Sequence, residues 1–436
     1  MAGHSHFSPA NVEEHFEFTS EGKKRIIYAF IAGVVALVIG IYLLSKGEAG
    51  GHEVAEAGHE AVKAGHEAAV EHVSGGAVSH QPDAEEHYDW TNRVWANVWL
   101  NAVFFTGIAV VGMFFVSLQY LTKAGWSSVM KRVPEAFPKF LYISLPILLL
   151  VFLFKGDVIF HWMHHGVTEV GNANYDKIIA GKSGYLNKNF FLIRLIVFGG
   201  LWILLWKMLR KKSIEEDLNG GTEYFHQLVK IGTAFIVIFG ASSSIFAWDW
   251  VMSIDTHWFS TLFGWYVFAS WFVSGLSAIT LIVLFLKGKG YLEMINENHV
   301  HDLGKFVFGF SIFWTYLWFS QFLLIYYANI PEETVYFVER LESDIYGPFV
   351  FVNLGLNFFL PFLVLMTRDA KRHGVFLKLV CTILLVGHWI DFTLMVQPGT
   401  LGHNGGIGLL EVGMFLVYGS AVTFVVLGAL AKRNLI

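Results

Sequence analysis

The chain has 436 residues, of which 55% are hydrophobic and only 15% are charged, and its mean hydropathy is +0.52. Soluble domains carry about 25% charged residues, so this composition excludes an ordinary soluble protein and predicts a polytopic membrane protein. The formal net charge of −5 excludes a broad basic face for binding nucleic acid.

Ten segments are long and apolar enough to cross a bilayer, whose hydrocarbon core of about 30 Å takes roughly 20 helical residues. They predict an all-α integral membrane protein that begins with a tail over residues 1–25. The spans are expected at 26–44, 95–121, 139–163, 190–210, 228–250, 258–286, 303–329, 345–367, 374–397 and 407–431, with the last helix and its tail ending at 436.

The distribution of Lys and Arg predicts the orientation of these spans. Of the 30 basic residues, 21 lie in the N-terminal tail, the even-numbered connections and the C-terminus, and seven lie in the opposite loops. Because positively charged segments stay in the cytoplasm, we expect both termini to be cytoplasmic.

The long first outer loop, residues 45–94, contains a heptad repeat of Gly-His-Glu that places His52, His59 and His66 seven residues apart. A helix would carry them on one stripe for a metal or a partner, but the glycines favour a solvated tether. Ten acidic residues against three basic ones favour a basic partner such as a c-type cytochrome, although solubility alone explains them equally well. Farther along, residues 331–344 have the pattern of a short amphipathic helix at the membrane interface.

Ionisable and polar side chains in the outer halves of the spans are the candidate functional residues, because such groups are costly inside a bilayer. The candidates are Lys155, Asp157, His161, Arg194, Asp249, Asp255, His257, Gln321, His388 and Asp391.

Several of these residues are close enough in sequence to share a helical face. Lys155 and Asp157 suggest a buried ion pair, and Asp157 lies on one face with His161. His388 and Asp391 are three residues apart, so we expect them to hydrogen-bond directly or through water inside a helix bundle. A His with a carboxylate at this depth suits proton exchange with a quinol head group or a proton relay.

Simpler interpretations remain open for the others. Asp249, Asp255 and His257 fit ordinary interfacial positions, and the Arg194 side chain is long enough to extend to the lipid head groups.

The single cysteine, Cys381, limits the cofactors that this chain can hold. An iron–sulfur cluster requires several thiolates, and attachment of a c-type haem requires a pair of cysteines. A copper–haem centre requires more intramembrane histidines than this chain has. We therefore expect no cofactor to be bound by this chain.

Two motifs carry a resemblance to a known family. They are Phe246–Ser260, FAWDWVMSIDTHWFS, and Ser320–Pro331, SQFLLIYYANIP. Together with the ten-span layout, these motifs resemble an integral membrane subunit of Alternative Complex III. The resemblance covers nearly the whole chain, and a proton path is ascribed to this subunit of the complex. Alternative Complex III is the bacterial quinol:cytochrome c (quinol:electron acceptor) oxidoreductase, and this component is similar to the polysulfide-reductase (NrfD-type) membrane proteins.

The resemblance implies two four-helix bundles, spans 2–5 over 95–250 and spans 6–9 over 258–397, flanked by spans 1 and 10. It implies a bacterial inner membrane and partner subunits that hold the iron–sulfur clusters and c-type haems, including a homologous membrane subunit. Menaquinol or another quinol, a c-type cytochrome or a terminal oxidase, and membrane lipids are the further implied partners. Asp249, Asp255, His257 and Gln321 match the motifs.

The sequence therefore predicts a haem-free subunit of a respiratory quinol oxidoreductase, not catalytic alone, which contributes a proton path or borders a quinol site near the periplasm. A proton-coupled secondary transporter is one alternative, disfavoured because the polar groups lie toward one face rather than at the midplane. A purely structural scaffold for partner subunits is the other.

Overall fold

A computed structural model of the chain describes residues 14–66 and 89–435, with side chains from 14 to 46 and from 89 onward. Within this part there is no strand, only a single β-bridge between His15 and Asn434. The α-helices are α1 Ser20–His66, α2 Trp90–Leu121, α3 Arg132–Ala136, α4 Leu141–Ile159, α5 Lys177–Lys182, α6 Lys188–Asn219, α7 Thr222–Trp250, α8 Phe263–Gly288, α9 Glu297–Ala328, α10 Pro331–Leu341, α11 Gly347–Leu354, α12 Leu360–Leu365, α13 Arg368–Arg372, α14 Gly374–Leu401 and α15 Leu409–Leu430.

Ten helical segments in the described residues are long and apolar enough to cross a membrane, which confirms the predicted all-α, multi-pass fold. The third span consists of α3 and α4 joined by a 3-10 turn. The eighth consists of α11 and α12 joined by the π-helical turn Gly355–Phe359. The π turn precedes Pro361, whose missing N–H leaves a carbonyl without its helical partner.

The spans pack as two bundles with two flanking helices. Helices α2, α4, α6 and α7 form the first bundle, and α8, α9, α11–α12 and α14 form the second. The two bundles meet where α2 and α7 pack against α8, and α1 packs along α15 on the outside of α2.

Helix α2 lies at the centre of the molecule because it is apolar on every side. Nearly all residues of its most apolar, membrane-spanning part are buried inside the protein. At its contact with α8, a Cβ atom on Gly107 would lie 1.9 Å from the ring of Trp271. A glycine at this position is therefore needed for the close approach of the two helices.

The first outer connection differs from the predicted loop over 45–94. The backbone of α1 continues as helix through the repeat as far as His66, so this portion is helical; whether it serves as a tether or binds a metal or a partner stays open. The side chains of His52, His59 and His66 and the rest of the repeat through His72 lie outside the described residues. Helix α10 confirms the short amphipathic helix predicted after the seventh span.

Candidate functional site

The Asp391 carboxylate is fully buried in the second bundle and receives hydrogen bonds from three neighbouring helices. Its Oδ1 accepts from the Tyr266 hydroxyl and from Asn353 Nδ2 at 2.9 Å. Its Oδ2 accepts from Ser270 Oγ at 2.8 Å and from Trp314 Nε1 at 2.9 Å. Four donors match the acceptor capacity of an ionised carboxylate. The predicted position of Asp391 in the interior of the second bundle is confirmed.

His388 lies one turn from Asp391 but does not bond to it directly. The distance from His388 Nδ1 to Asp391 Oδ2 is 3.9 Å, which is too long for the direct form of the predicted hydrogen bond; the form through water stays a prediction. Ser270 Oγ lies 2.9 Å from His388 Nδ1 and joins the two side chains. Serine was missed as a site residue because its hydroxyl is common in membrane helices, although Ser270 faces the same bundle interior.

The Ser270 bridge fixes where the proton on His388 lies when Asp391 is ionised. A hydroxyl carries one proton, and the carboxylate requires Ser270 to donate it. Nδ1 of His388 must then be the donor to Ser270 Oγ, which leaves the lone pair of a neutral imidazole on Nε2. That nitrogen is buried and has no hydrogen-bond partner among the described residues. The site therefore contains a nitrogen that is able to accept a proton.

A small cavity of about 30 Å³ lies beside the Asp391 carboxylate, toward the predicted outer side. Gln321 and Asn353 line it, and both side chains are buried. Tyr336 and Arg340 from the interfacial helix α10 line the cavity as well. Its volume is enough for about two water molecules and too small for a quinone ring.

Arg340 anchors α10 to the second bundle. Its Nη2 donates to Asp255 Oδ2 at 2.8 Å, and its Nε donates to the Leu394 carbonyl oxygen at 2.8 Å. Pro398 lacks the N–H that would otherwise bond to that carbonyl in helix α14. The guanidinium also lies 3.4 Å from the centre of the Tyr336 ring. We did not predict a role for Arg340, although Pro398 four residues after Leu394 is a signal for an orphaned carbonyl.

Arg194 and Asp249 form a buried ion pair in the first bundle. Arg194 Nε and Nη2 donate to the two Asp249 oxygens at 2.5 and 2.9 Å, and both side chains are buried. The rings of Tyr185 and Phe190 lie against the guanidinium. The interfacial interpretation of Asp249 and the extension of Arg194 to the lipid head groups are therefore wrong. The first bundle neutralises its carboxylate with a cation, whereas the donors to Asp391 are uncharged.

The predicted grouping at the outer end of the third span is wrong. Lys155 has non-helical backbone angles and α4 ends at Ile159, so Asp157 and His161 do not share a helical face. Asp157 and His161 are both exposed, and in the described part of the chain Lys155 and Asp157 form no ion pair with each other. His164 Nε2 donates to the Asp157 carbonyl oxygen at 2.9 Å, which caps the end of the helix.

His257 is exposed and contacts the outer segment before the fourth span. Its Nε2 lies 2.6 Å from Asp176 Oδ2, while Asp176 Oδ1 accepts from the backbone N–H groups of Ile178 and Ile179 at the start of α5. Burial alone would raise the pKa of Asp176. The hydrogen bonds from Ile179 and His257 outweigh burial and hold that pKa below its usual value of 3.8.

The ten predicted residues therefore lie at separate places rather than in one site. Gln321 and Asp391 line one cavity, and Asp255 is connected to it through Arg340. His388 is joined to Asp391 through Ser270. Arg194 and Asp249 form their own pair in the other bundle. Across residues 14–46 and 89–435, no group of three or more His, Cys, Asp or Glu side chains is arranged to hold a metal ion.

Together, the fold and the buried polar groups define a polytopic α-helical membrane protein with an uncommon buried carboxylate in its second bundle. Comparison with protein-family models and with curated proteins gives no match to this chain.

Proposed function

We propose that this chain is a haem-free membrane subunit of a respiratory quinol oxidoreductase of the Alternative Complex III type, and that it carries a proton path through its second bundle. The observation that carries the proton path is Asp391, a fully buried carboxylate held by three helices beside a water-sized cavity. The assignment to the respiratory complex rests on the two sequence motifs. The bacterial inner membrane and cytoplasmic termini belong to the same proposal.

The arrangement around Asp391 suits proton transfer between an aqueous cavity and the bundle interior. Asp391 faces the cavity, and Ser270 joins its Oδ2 to the imidazole of His388. A proton that reaches His388 Nε2 allows Nδ1 to release its own proton through the Ser270 hydroxyl to the carboxylate. The transfers between His388, Ser270 and Asp391 each run along an existing hydrogen bond.

Asp391 supports this role better than the Arg194–Asp249 pair does. A carboxylate in a buried ion pair is held in its charged form by its partner, and removal of that partner leaves an uncompensated charge. Asp391 has uncharged donors, two of which, Tyr266 and Ser270, are hydroxyls that also accept hydrogen bonds. The surroundings of Asp391 are therefore able to rearrange when its charge changes.

The size of the cavity favours a proton path over a quinol site inside this bundle. About 30 Å³ accommodates water but not a quinone ring. In this proposal, a quinol is oxidised at a border with a partner subunit, and the second bundle carries the released protons.

Purification of the complex from its native membrane in a mild detergent tests the proposed assembly. A tag on this chain is expected to recover partner subunits with c-type haem absorption bands and quinol oxidation activity. Recovery of this chain without any redox partner would contradict the proposal. Proton-driven solute uptake by the isolated chain in vesicles would instead establish the transporter alternative.

The scaffold alternative also has a specific observation in its favour. All four acceptor positions of Asp391 are filled by side chains, and a buried carboxylate with all of its acceptor positions filled also serves to fix helix packing. The two functions differ in whether a titratable group is needed at position 391.

A further inference from the structure

Four basic side chains from three different spans lie close together where the first bundle meets α15, on the predicted cytoplasmic side. Lys139 is in the 3-10 turn of the third span, Arg210 is in α6, and Lys432 and Arg433 directly follow α15. Lys139 is close enough to Arg210 and Lys432 for electrostatic repulsion, and Arg210 is close enough to Arg433. These four residues are called the basic cluster below.

The carboxylates in this region are held by other groups. Glu135 attracts Arg210, but its two carboxylate oxygens accept from Arg132 and from Ser213, each at 2.6 Å. Arg210 Nη1 donates instead to the Glu135 carbonyl oxygen at 2.9 Å. The ion pairs that hold the remaining carboxylates are Lys131–Glu216, Lys131–Asp217 and Arg132–Asp217. In the described part of the chain, no carboxylate forms an ion pair with a member of the basic cluster.

The fold holds these charges together. The backbone N–H of Leu435 donates to the Glu14 carbonyl oxygen at 2.8 Å, and the Leu435 side chain is buried. This contact fixes the segment that carries Lys432 and Arg433 against the protein. Orientation of the spans requires basic residues on the cytoplasmic side, but it does not require four of them to be neighbours. An anion among the four would offset their mutual repulsion.

An exposed apolar surface begins directly beside the basic cluster. Tyr142 and Ile143 in the third span are 42% and 41% exposed, and Leu204 in the fourth is 52% exposed. The Tyr142 ring packs edge-on against Trp206, and the Lys207 ammonium lies 5.3 Å from the centre of the Tyr142 ring. The two spans therefore meet at the depth of the cluster. An anion bound there has membrane-spanning apolar surface next to it.

We propose that the basic cluster binds the phosphate group of an anionic phospholipid, whose acyl chains lie along the exposed apolar side chains of the third and fourth spans. Basic groups between spans at a membrane surface suit lipid phosphates. The Arg210 guanidinium has five N–H donors in one plane, and a phosphate accepts two of them at once. A soluble phosphorylated molecule would leave the apolar surface unused. This inference does not rest on the proposed function.

Native mass spectrometry of the full chain in a neutral maltoside detergent tests the site. The probes are phosphatidylglycerol and phosphatidylcholine with the same acyl chains, which differ in the net charge of the head group. The unmodified chain is expected to retain one phosphatidylglycerol at a lower concentration than it retains phosphatidylcholine. The double variant Lys139→Gln with Lys432→Gln should bind phosphatidylglycerol about 30-fold more weakly, roughly fivefold for each charge removed. Its binding of phosphatidylcholine should be unchanged.

A second double variant controls for net charge. Lys230 and Lys378 are exposed lysines at the predicted cytoplasmic ends of other spans. Lys230→Gln with Lys378→Gln removes the same two charges and should leave phosphatidylglycerol binding unchanged. Equal retention of the two lipids by the unmodified chain, or the same loss in both double variants, would overturn the proposal.

Melting temperatures separate lipid binding from a direct structural role. Without lipid, Lys139→Gln with Lys432→Gln should melt no lower than the unmodified chain, because the substitutions remove repulsion. Added phosphatidylglycerol should raise the melting temperature of the unmodified chain more than that of the variant. A variant that melts lower without lipid and gains as much from phosphatidylglycerol would contradict the site.

Competition with inorganic phosphate distinguishes a lipid from a soluble anion. A large excess of inorganic phosphate should leave phosphatidylglycerol bound, since phosphate makes no contact with the apolar surface. Displacement of the lipid by inorganic phosphate would overturn the proposal of a lipid and assign the basic cluster to a soluble anion.

Discussion

The guanidinium of Arg340 in α10 donates from Nε to the Leu394 carbonyl oxygen in α14 at 2.8 Å. That carbonyl has no N–H four residues later, because residue 398 is proline. The same guanidinium holds Asp255 at 2.8 Å. One residue of the interfacial helix therefore stabilises a proline-containing span and fixes the outer wall of the cavity beside Asp391.

Replacement of Arg340 tests this relationship through its dependence on Pro398. Arg340→Ala should lower stability by about 3–5 kcal/mol, because Asp255 loses its partner and the Leu394 carbonyl loses its donor. In a Pro398→Ala background, the new N–H at 398 replaces that donor, so the loss should be about 1 kcal/mol smaller. Unfolding of the four proteins in detergent measures the difference. Strictly additive effects would contradict the role given to Pro398.

Residue 399 must be a glycine because the Asp255 carboxylate occupies the space that a larger side chain would need. A Cβ atom at 399 would lie 2.4 Å from Asp255 Oδ1, so Gly399→Ala should displace the carboxylate from Arg340 and lower the melting temperature. Gly309→Ala in α9 is the matched control, since a Cβ there meets no atom within 4 Å, and it should be neutral or slightly stabilising. Equal effects from the two substitutions would show that Asp255 tolerates the added methyl group.

The lowered pKa of Asp176 predicts that the stability of helix α5, on the predicted outer surface, depends on pH. Burial raises the pKa of Asp176, but the N–H of Ile179 and the His257 ring outweigh burial and lower that pKa below 3.8. A lowered carboxyl pKa contributes stability that is present above the unfolded value and is lost as the pH falls through the folded value. Local opening of α5, measured by amide exchange at Ile178 and Ile179, should therefore increase only below about pH 4.

Asp176→Asn is the control for this pH effect. Asparagine caps a helix about as well as aspartate does, so α5 should remain formed. Its opening should then be independent of pH through the same range. An unchanged acid dependence in the variant would assign the effect to a different group.

The sequence predicted the spans and the buried position of Asp391 because hydropathy and helical spacing are local properties. It placed Asp249 at the membrane interface and Asp391 inside its span, but it could not show which side chains surround either carboxylate. Their difference depends on residues distant in sequence: Arg194 faces one, and uncharged donors such as Ser270 face the other.

The error at Lys155 has a different cause. Spacing arguments assume an unbroken helix, and the backbone of α4 departs from helical angles at that residue. Arg340 was missed because a basic residue in an outer loop is ordinarily solvated. Its burial depends on how α10 folds back against α14.

The orientation of the chain remains a prediction that a reporter enzyme tests. Twenty-one basic residues on one side against seven on the other predict a cytoplasmic C-terminus. An enzyme that is active only in the periplasm should be silent when fused after Ile436 and active when fused within the 331–344 segment. The reverse pattern would place the cavity beside Asp391 on the cytoplasmic side.

Asp249 and Asp391 are expected to respond differently to the same substitution. Asp249→Asn leaves Arg194 as a buried charge without a counter-ion and should cost about 3–5 kcal/mol, which reduces the amount of assembled complex. Asp391→Asn leaves no uncompensated charge, and the Tyr266 hydroxyl is able to accept from the new amide. Its cost should be about 1–3 kcal/mol. Yields of assembled complex compare the two variants, and equal losses would contradict the contrast between the bundles.

The most direct test of the proton path is the number of protons released per electron by the complex with Asp391→Asn, reconstituted into vesicles. Thr393→Val is the control, because Thr393 is buried in the same helix and, among the described residues, its hydroxyl bonds only to the Trp389 carbonyl oxygen. We predict that Asp391→Asn assembles and that its proton yield falls, while Thr393→Val retains the yield of the unmodified complex. An assembled Asp391→Asn complex with full quinol turnover and an unchanged proton yield would contradict the proton path and establish Asp391 as a structural residue.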